Sequence, residues 1–79
     1  MTLYEFNNLT LNDQCHNIWT KGTYIATRDQ DVYRINLYHM KEFYAEVWYE
    51  VLSNEIQRTN SFKTLDALEP YIDLVKLDL

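Results

Sequence analysis

The sequence predicts an α+β fold: a four-stranded antiparallel meander sheet with an N-terminal and a C-terminal helix packed on one face, in the order α-β-β-β-β-α. Two observations predict it. Apolar residues recur with helical spacing up to residue 22, alternate with a period of two over residues 23–62, and recur with helical spacing again after them. The breaks between the alternating segments are short and polar, and short connections join antiparallel neighbours. We expect residues 1–79 to form a single domain.

The first helix is predicted over residues 11–22. Thr10 with Asp13 three residues later resembles a capping box. Gly22, the only glycine in the chain, is expected to end this helix in a left-handed conformation. The helix would bury one apolar stripe, which consists of Leu11, Cys15, Ile18 and Trp19.

Four strands are predicted over residues 23–30, 31–40, 42–51 and 55–62, because these segments are rich in Tyr, Ile, Val and Thr. Asn54 is the turn residue best suited to a positive φ, since asparagine tolerates the left-handed region. A second helix is predicted over residues 63–75, where Pro70 indicates a kink or a restart. Its apolar side consists of Leu65, Leu68, Ile72 and Val75.

The stretch FYAEVWYEV, residues 43–51, carries large aromatic side chains on both sides of its alternation. If both helices cover one face of the sheet, the opposite face remains open. We expect the covered core to contain Tyr33, Ile35, Leu37, Phe43, Val47, Tyr49, Val51, Ile56 and Phe62. The open face would then show Arg34, Asn36, Tyr38, Tyr44, Glu46, Trp48, Glu50, Gln57 and Thr59.

The open aromatic face is the predicted partner-binding site. Tyr38, Tyr44 and Trp48 would make the contact, with Arg34 and Glu46 setting the register, because Tyr and Trp are enriched at the centres of interfaces. A symmetric homodimer is the simplest partner, since one patch then serves both subunits. The alternative is that these aromatic residues only cover the sheet, with Arg34 and Glu46 paired across strands.

The residues that could form a catalytic or metal-binding site lack the partners that such sites need. Cys15 and His16 are adjacent, but neighbours on a helix point about 100° apart, and Cys15 belongs to the apolar stripe. His39 has no histidine or cysteine at metal-ligand spacing. Glu46 and Glu50 share a strand face, yet no phosphate-binding loop accompanies them. We therefore expect no catalysis, no metal and no cofactor. The alternative is a small enzyme or ligand binder that uses Cys15, His16 or His39.

The composition narrows the class of partner. The formal net charge is −5 and no basic stripe is present, so we expect no binding to nucleic acid. A single cysteine excludes an intramolecular disulfide and favours a reducing compartment. No signal peptide and no apolar run of about 20 residues is visible, so we expect a cytoplasmic protein that does not bind membranes.

The run FYAEVWYEVLSNEIQRTNSF, an aromatic strand with a short polar turn and a closing Ser-Phe before a helix, resembles small uncharacterised bacterial proteins of helix-plus-sheet build. The resemblance extends over most of the chain and implies no activity and no functional residues. Small acidic single-domain proteins of bacteria and their phages are often inhibitors, immunity proteins or adaptors. By that analogy, a foreign protein is the alternative partner, and an inhibitor of a basic surface would use its carboxylates for steering.

Overall fold

The computed structural model describes residues 1–72 of the chain. The strands form one antiparallel sheet in the order β1-β2-β3-β4, so the predicted meander is confirmed. No helix within residues 1–72 is long and apolar enough to cross a membrane. The elements are α1 (Leu3–Asn7), α2 (Leu11–Lys21), β1 (Thr23–Gln30), β2 (Tyr33–His39), β3 (Tyr44–Glu50), β4 (Glu55–Phe62) and a 3₁₀ helix (Leu65–Tyr71).

Threonine residues begin both α-helices. The Thr10 hydroxyl accepts a hydrogen bond from the Asp13 N–H at 3.2 Å, so α2 has one of the two bonds of the predicted capping box. A complete capping box stands at α1, where Thr2 and Glu5 exchange bonds of 2.9 and 3.1 Å between side chain and backbone. This capping box explains how a helix as short as α1 has a defined start.

Gly22 ends α2 in an extended conformation, with φ −84° and ψ 154°, so the predicted left-handed residue is wrong. The glycine is required for space instead. A Cβ atom at this position would lie 2.5 Å from the carbonyl oxygen of Ile18 and 2.9 Å from the sulfur of Met40. The missing side chain therefore allows the end of α2 to approach the end of β2.

The turns of the meander contain the left-handed residues. Asp31, Lys41 and Asn54 have φ values of 53°, 77° and 56°, and the prediction for Asn54 is confirmed. The turn after β1 and the turn after β3 lie at the same end of the sheet. The Val51 N–H donates to the carbonyl oxygen of Val32 at 2.8 Å, which ties these two turns together.

The register between β2 and β3 differs from the prediction. Tyr38 lies opposite Ala45, and Leu37 lies opposite Glu46. Because opposite residues share a face, Leu37 is on the side of Glu46 and away from the helices. The expectation that Tyr33, Ile35 and Leu37 join the helix-covered core is therefore wrong. A period of two defines two faces for each strand, but it does not say which face of one strand matches which face of the next.

Both faces of the sheet carry a covering element. On the helix side, α1 and α2 bury Phe6, Ile18, Met40, Phe43, Ala45 and Val47. On the opposite side, which we call the 3₁₀ side, the 3₁₀ helix packs Tyr71 and Leu68 against Ala26, Leu37, Tyr44 and Phe62. The predicted packing of both helices on one face is therefore not observed.

The C-terminal element is a 3₁₀ helix that includes Pro70, not an α-helix. Its predicted apolar side does not form, because Leu65 and Ile72 are 74% and 64% exposed. Tyr71 is the residue that it buries instead. Val75 of the predicted helix lies outside the described residues.

We expect the substitution Gly22→Ala to destabilise the fold by about 1–3 kcal/mol, since a new methyl group must displace the backbone of Ile18 or the side chain of Met40. Urea unfolding measures the change. Lys21→Ala, next to it and exposed, is the matched control and should stay within about 0.5 kcal/mol of the wild type. A Gly22→Ala protein as stable as its control would contradict the close approach.

Candidate functional site

Glu46, in the middle of β3, is the most unusual residue of the fold, because this carboxylate is only 3% exposed. An unpaired carboxylate in such a place would cost several kcal/mol. Its two oxygens accept hydrogen bonds from four side chains: Arg28 at 3.3 Å, Trp48 at 3.4 Å, Asn60 at 3.0 Å and Tyr71. We call these five residues the Glu46 cluster.

The Glu46 cluster joins elements that are distant in sequence. Arg28 comes from β1, and its guanidinium forms an ion pair with Glu46. Asn60 lies opposite Glu46 on β4, and Tyr71 belongs to the 3₁₀ helix. Trp48 stands two residues after Glu46 and so on the same face of β3. The cluster therefore fastens three strands and the C-terminal element at one point.

Cations and aromatic rings alternate in a layer through the cluster. The Arg58 guanidinium lies 3.9 Å from the centre of the Trp48 ring. Arg28 lies between two rings, 5.5 Å from Trp48 and 5.3 Å from Tyr71. Such cation–π contacts are attractive, more so where water is excluded. This layer explains why FYAEVWYEV places a tryptophan beside glutamates: Trp48 is buried and holds two cations.

The Tyr71 hydroxyl is held in its protonated form. Burial raises the pKa of Tyr71 well above its ordinary value, and the hydrogen bond to Glu46 raises that pKa further. A protonated hydroxyl can donate to the carboxylate, whereas a phenolate would repel it. The hydroxyl therefore fixes the 3₁₀ helix to the sheet.

The five residues of the predicted binding surface do not lie together. Tyr44, Glu46 and Trp48 are on the 3₁₀ side, whereas Tyr38 and Arg34 are on the helix side. Glu46 and Trp48 are buried within the chain. The expected single aromatic face with these residues is therefore wrong, and the reason is the register between β2 and β3.

The predicted pair of Arg34 and Glu46 is also wrong. Arg34 donates to Asp29 at 3.2 Å on the exposed surface, and Arg28 is the partner of Glu46. Sequence reasoning missed Arg28 because nothing local distinguishes it from Arg34. A longer-range signal was present, since a glutamate in the middle of an apolar strand needs a cation from another strand.

The helices cover only half of the helix side. Side chains of α1 and α2 are hydrogen bonded to β4, Asn7 with Ser61 and Gln14 with Thr59. No helix of residues 1–72 covers the other half of this side, over β1 and β2. We call it the open face, and by strand pairing it comprises Tyr24, Thr27, Asp29, Arg34, Asn36 and Tyr38.

Aromatic rings occupy one end of the open face. Tyr24 is 55% exposed, and its ring meets the half-buried Tyr38 edge-on with centroids 5.8 Å apart. Burial raises the pKa of Tyr38, with smaller effects from nearby groups that include Cys15 of α2. Trp19 is 54% exposed, so the prediction that it lies in the core is wrong.

The residues of the alternative, catalytic interpretation do not form a constellation. Cys15 is buried and burial raises the pKa of its thiol, whereas its neighbour His16 is exposed. A low thiol pKa is what a nucleophilic cysteine needs. His39 packs its ring against Tyr44, with centroids 5.1 Å apart.

The surface of residues 1–72 includes two concave regions. One, of about 410 Å³, is a polar groove between the helices and β4, lined by residues such as Gln14, Gln57 and Thr59. The other, of about 190 Å³, lies at one end of the sheet between Met40 and Phe43. Cys15, His16 and His39 line neither of them.

No family model, no curated protein and no solved structure matches this chain. The resemblance to small bacterial α+β proteins therefore stays a prediction, and no functional residue is transferred from a relative.

Removing the Tyr71 hydroxyl should destabilise the fold. We expect Tyr71→Phe to lower the free energy of unfolding by about 1–3 kcal/mol, because the buried carboxylate of Glu46 loses one donor while the ring stays in place. Urea unfolding gives the value. Tyr4→Phe is the matched control, since that ring is 77% exposed. Equal stability of the two variants would show that the hydroxyl does not serve Glu46.

The raised pKa of Tyr71 sets the behaviour in alkali. A tyrosine whose pKa is higher in the fold than in the unfolded chain, where it is about 10, contributes fully below that pH and loses its contribution as pH rises above it. We expect the free energy of unfolding to fall above about pH 10 and to fall less steeply in Tyr71→Phe. Unfolding titrations at a series of pH values test this, and identical slopes would contradict it.

Proposed function

We propose that this chain is a non-catalytic protein-binding domain and that its open face docks a foreign protein. One observation carries the proposal: among residues 1–72 no helix covers half of one sheet face, and that half presents Tyr24 and Tyr38. Tyrosine and tryptophan are the residues that most often dominate binding energy at interfaces.

The shape of the open face supports a protein partner over a small molecule. Small-molecule sites are concave, and neither cavity described above is lined by a residue of the open face. A two-stranded surface framed by aromatic rings offers contact area without a pocket. Such a surface suits the face of another protein.

The polar content of the open face favours a foreign partner over a second copy. Thr27 donates to Asn36 at 2.6 Å, and the ion pair of Asp29 with Arg34 is exposed. Permanent homodimer interfaces are more apolar than this, whereas interfaces between partners that also exist apart are as polar as ordinary surface. An adaptor or inhibitor would have such an interface. The homodimer through an aromatic face remains a prediction from the sequence.

A photo-crosslinking residue placed at Tyr24 tests the proposal in cells that produce this chain. The same residue at Tyr4, exposed on α1, is the control. We expect one protein to be linked from Tyr24 and not from Tyr4. With that protein purified, Tyr24→Ala should weaken binding by about 2 kcal/mol, roughly thirtyfold, and Tyr4→Ala should not.

Two results would contradict the proposal. Equal affinities for the Tyr24→Ala and Tyr4→Ala variants would remove the open face from the contact. A wild-type dimer that Tyr24→Ala dissociates, seen by sedimentation, would instead support the homodimer.

A further inference from the structure

The turn end of the sheet carries an exposed apolar tip. It consists of Val32 from the turn after β1 and of Val51 and Leu52 from the turn after β3. The three side chains are 45%, 50% and 88% exposed, in that order. The hydrogen bond from Val51 to Val32 holds the two turns side by side. Three exposed apolar side chains thus lie on two adjoining turns, whereas single exposed apolar residues would need no explanation.

Carboxylates surround the apolar tip. Asp31 precedes Val32, and Glu50 and Glu55 flank the second turn. Glu50 lies directly opposite Glu55 in the pairing of β3 with β4, and like charges in that position weaken a sheet. No lysine or arginine occurs within residues 29–33 or 50–57. The tip is therefore an apolar knob with an acidic rim.

The opposite end of the sheet has the complementary shape and charge. The cavity of about 190 Å³ lies there, with Met40 and Phe43 as apolar wall and Lys21 and Lys41 beside them. Glu42 is the one carboxylate among the described residues that line it. The cavity is smaller than the roughly 300–1,000 Å³ of small-molecule sites, so it suits a side chain better than a ligand.

The tip and the cavity of one molecule cannot meet. They lie at opposite ends of strands of seven or eight residues, about 23 Å apart. Any contact between them must join two molecules. An acidic apolar knob and a lysine-bearing apolar cavity on the same chain are complementary in charge as well as in shape.

We propose that the apolar tip of one copy docks in the cavity of a second copy, with Leu52 seated against the small exposed edges of Met40 and Phe43 and the carboxylates facing Lys21 and Lys41. The contact is heterologous, because different surfaces meet, so it builds open chains or rings of more than two copies rather than closing as a dimer. The open face takes no part in it and stays free on every copy. This inference is thus independent of the proposed function.

Two variants, each with one surface removed, test the contact. Leu52→Ser removes the knob at an exposed position, and Lys41→Glu reverses a charge at the cavity. We expect the wild-type mass in sedimentation to rise with concentration past that of a dimer, and to fall back at about 0.5 M salt, where exposed charges are screened. Each variant alone should remain monomeric. Their equimolar mixture should form a dimer and nothing larger, because one tip and one cavity remain intact.

Leu65→Ser is the matched control, since Leu65 is an apolar side chain of similar exposure that belongs to neither surface. It should assemble as the wild type does, and urea unfolding should show all variants folded. A wild-type monomer throughout the range would overturn the proposal. So would assembly of Leu52→Ser alone, or a wild-type mass that stops at two copies. Tyr24→Ala should assemble normally, which separates this test from that of the open face.

Discussion

The buried carboxylate of Glu46 is the constraint on which the rest of the structure depends. A carboxylate in the middle of a sheet is tolerated only where donors converge on it, since the desolvation of the charge otherwise outweighs the burial of its neighbours. Here the donors come from β1, β3, β4 and the 3₁₀ helix. The position of Glu46 thereby decides which face of β3 meets the C-terminal element and which face, with Ala45 and Val47, meets the α-helices.

The surfaces that remain for function follow from this arrangement. Trp48 and Tyr71 are buried and hold Arg28 between their rings, so they are not available for contact with a partner. The 3₁₀ helix covers one side of the sheet, and α1 and α2 cover half of the other. Among residues 1–72, no helix covers the open face, and the apolar tip and the cavity lie at the two ends of the sheet. The open face is aromatic and polar, the apolar tip has an acidic rim, and the cavity at the other end combines basic and apolar residues.

The four strands and α2 were predictable from local pattern, whereas α1, the 3₁₀ form of the C-terminal element and the mutual placement of the elements were not. Periodicity locates the strands, and the burial of Cys15 and the left-handed Asn54 follow from residue type and position. Local pattern does not show which face of β2 matches which face of β3. Ile35 and Tyr38 lie on opposite faces of β2, so both faces look able to enter a core. The hydrogen bonds that decide this match join Glu46 to Arg28, Asn60 and Tyr71, which are 18, 14 and 25 residues away in the sequence respectively. No window of local sequence contains them.

The surroundings of the Tyr71 ring test the central claim, that Glu46 assigns the C-terminal element to the side of the sheet away from the helices. Nuclear Overhauser effects from the ring protons of Tyr71 measure which side chains it touches. The structure predicts contacts to the methyl groups of Ala26 and Leu37. Contacts to Val47 or Ile18 instead would place the 3₁₀ helix on the helix side, and the account of Glu46 would be wrong.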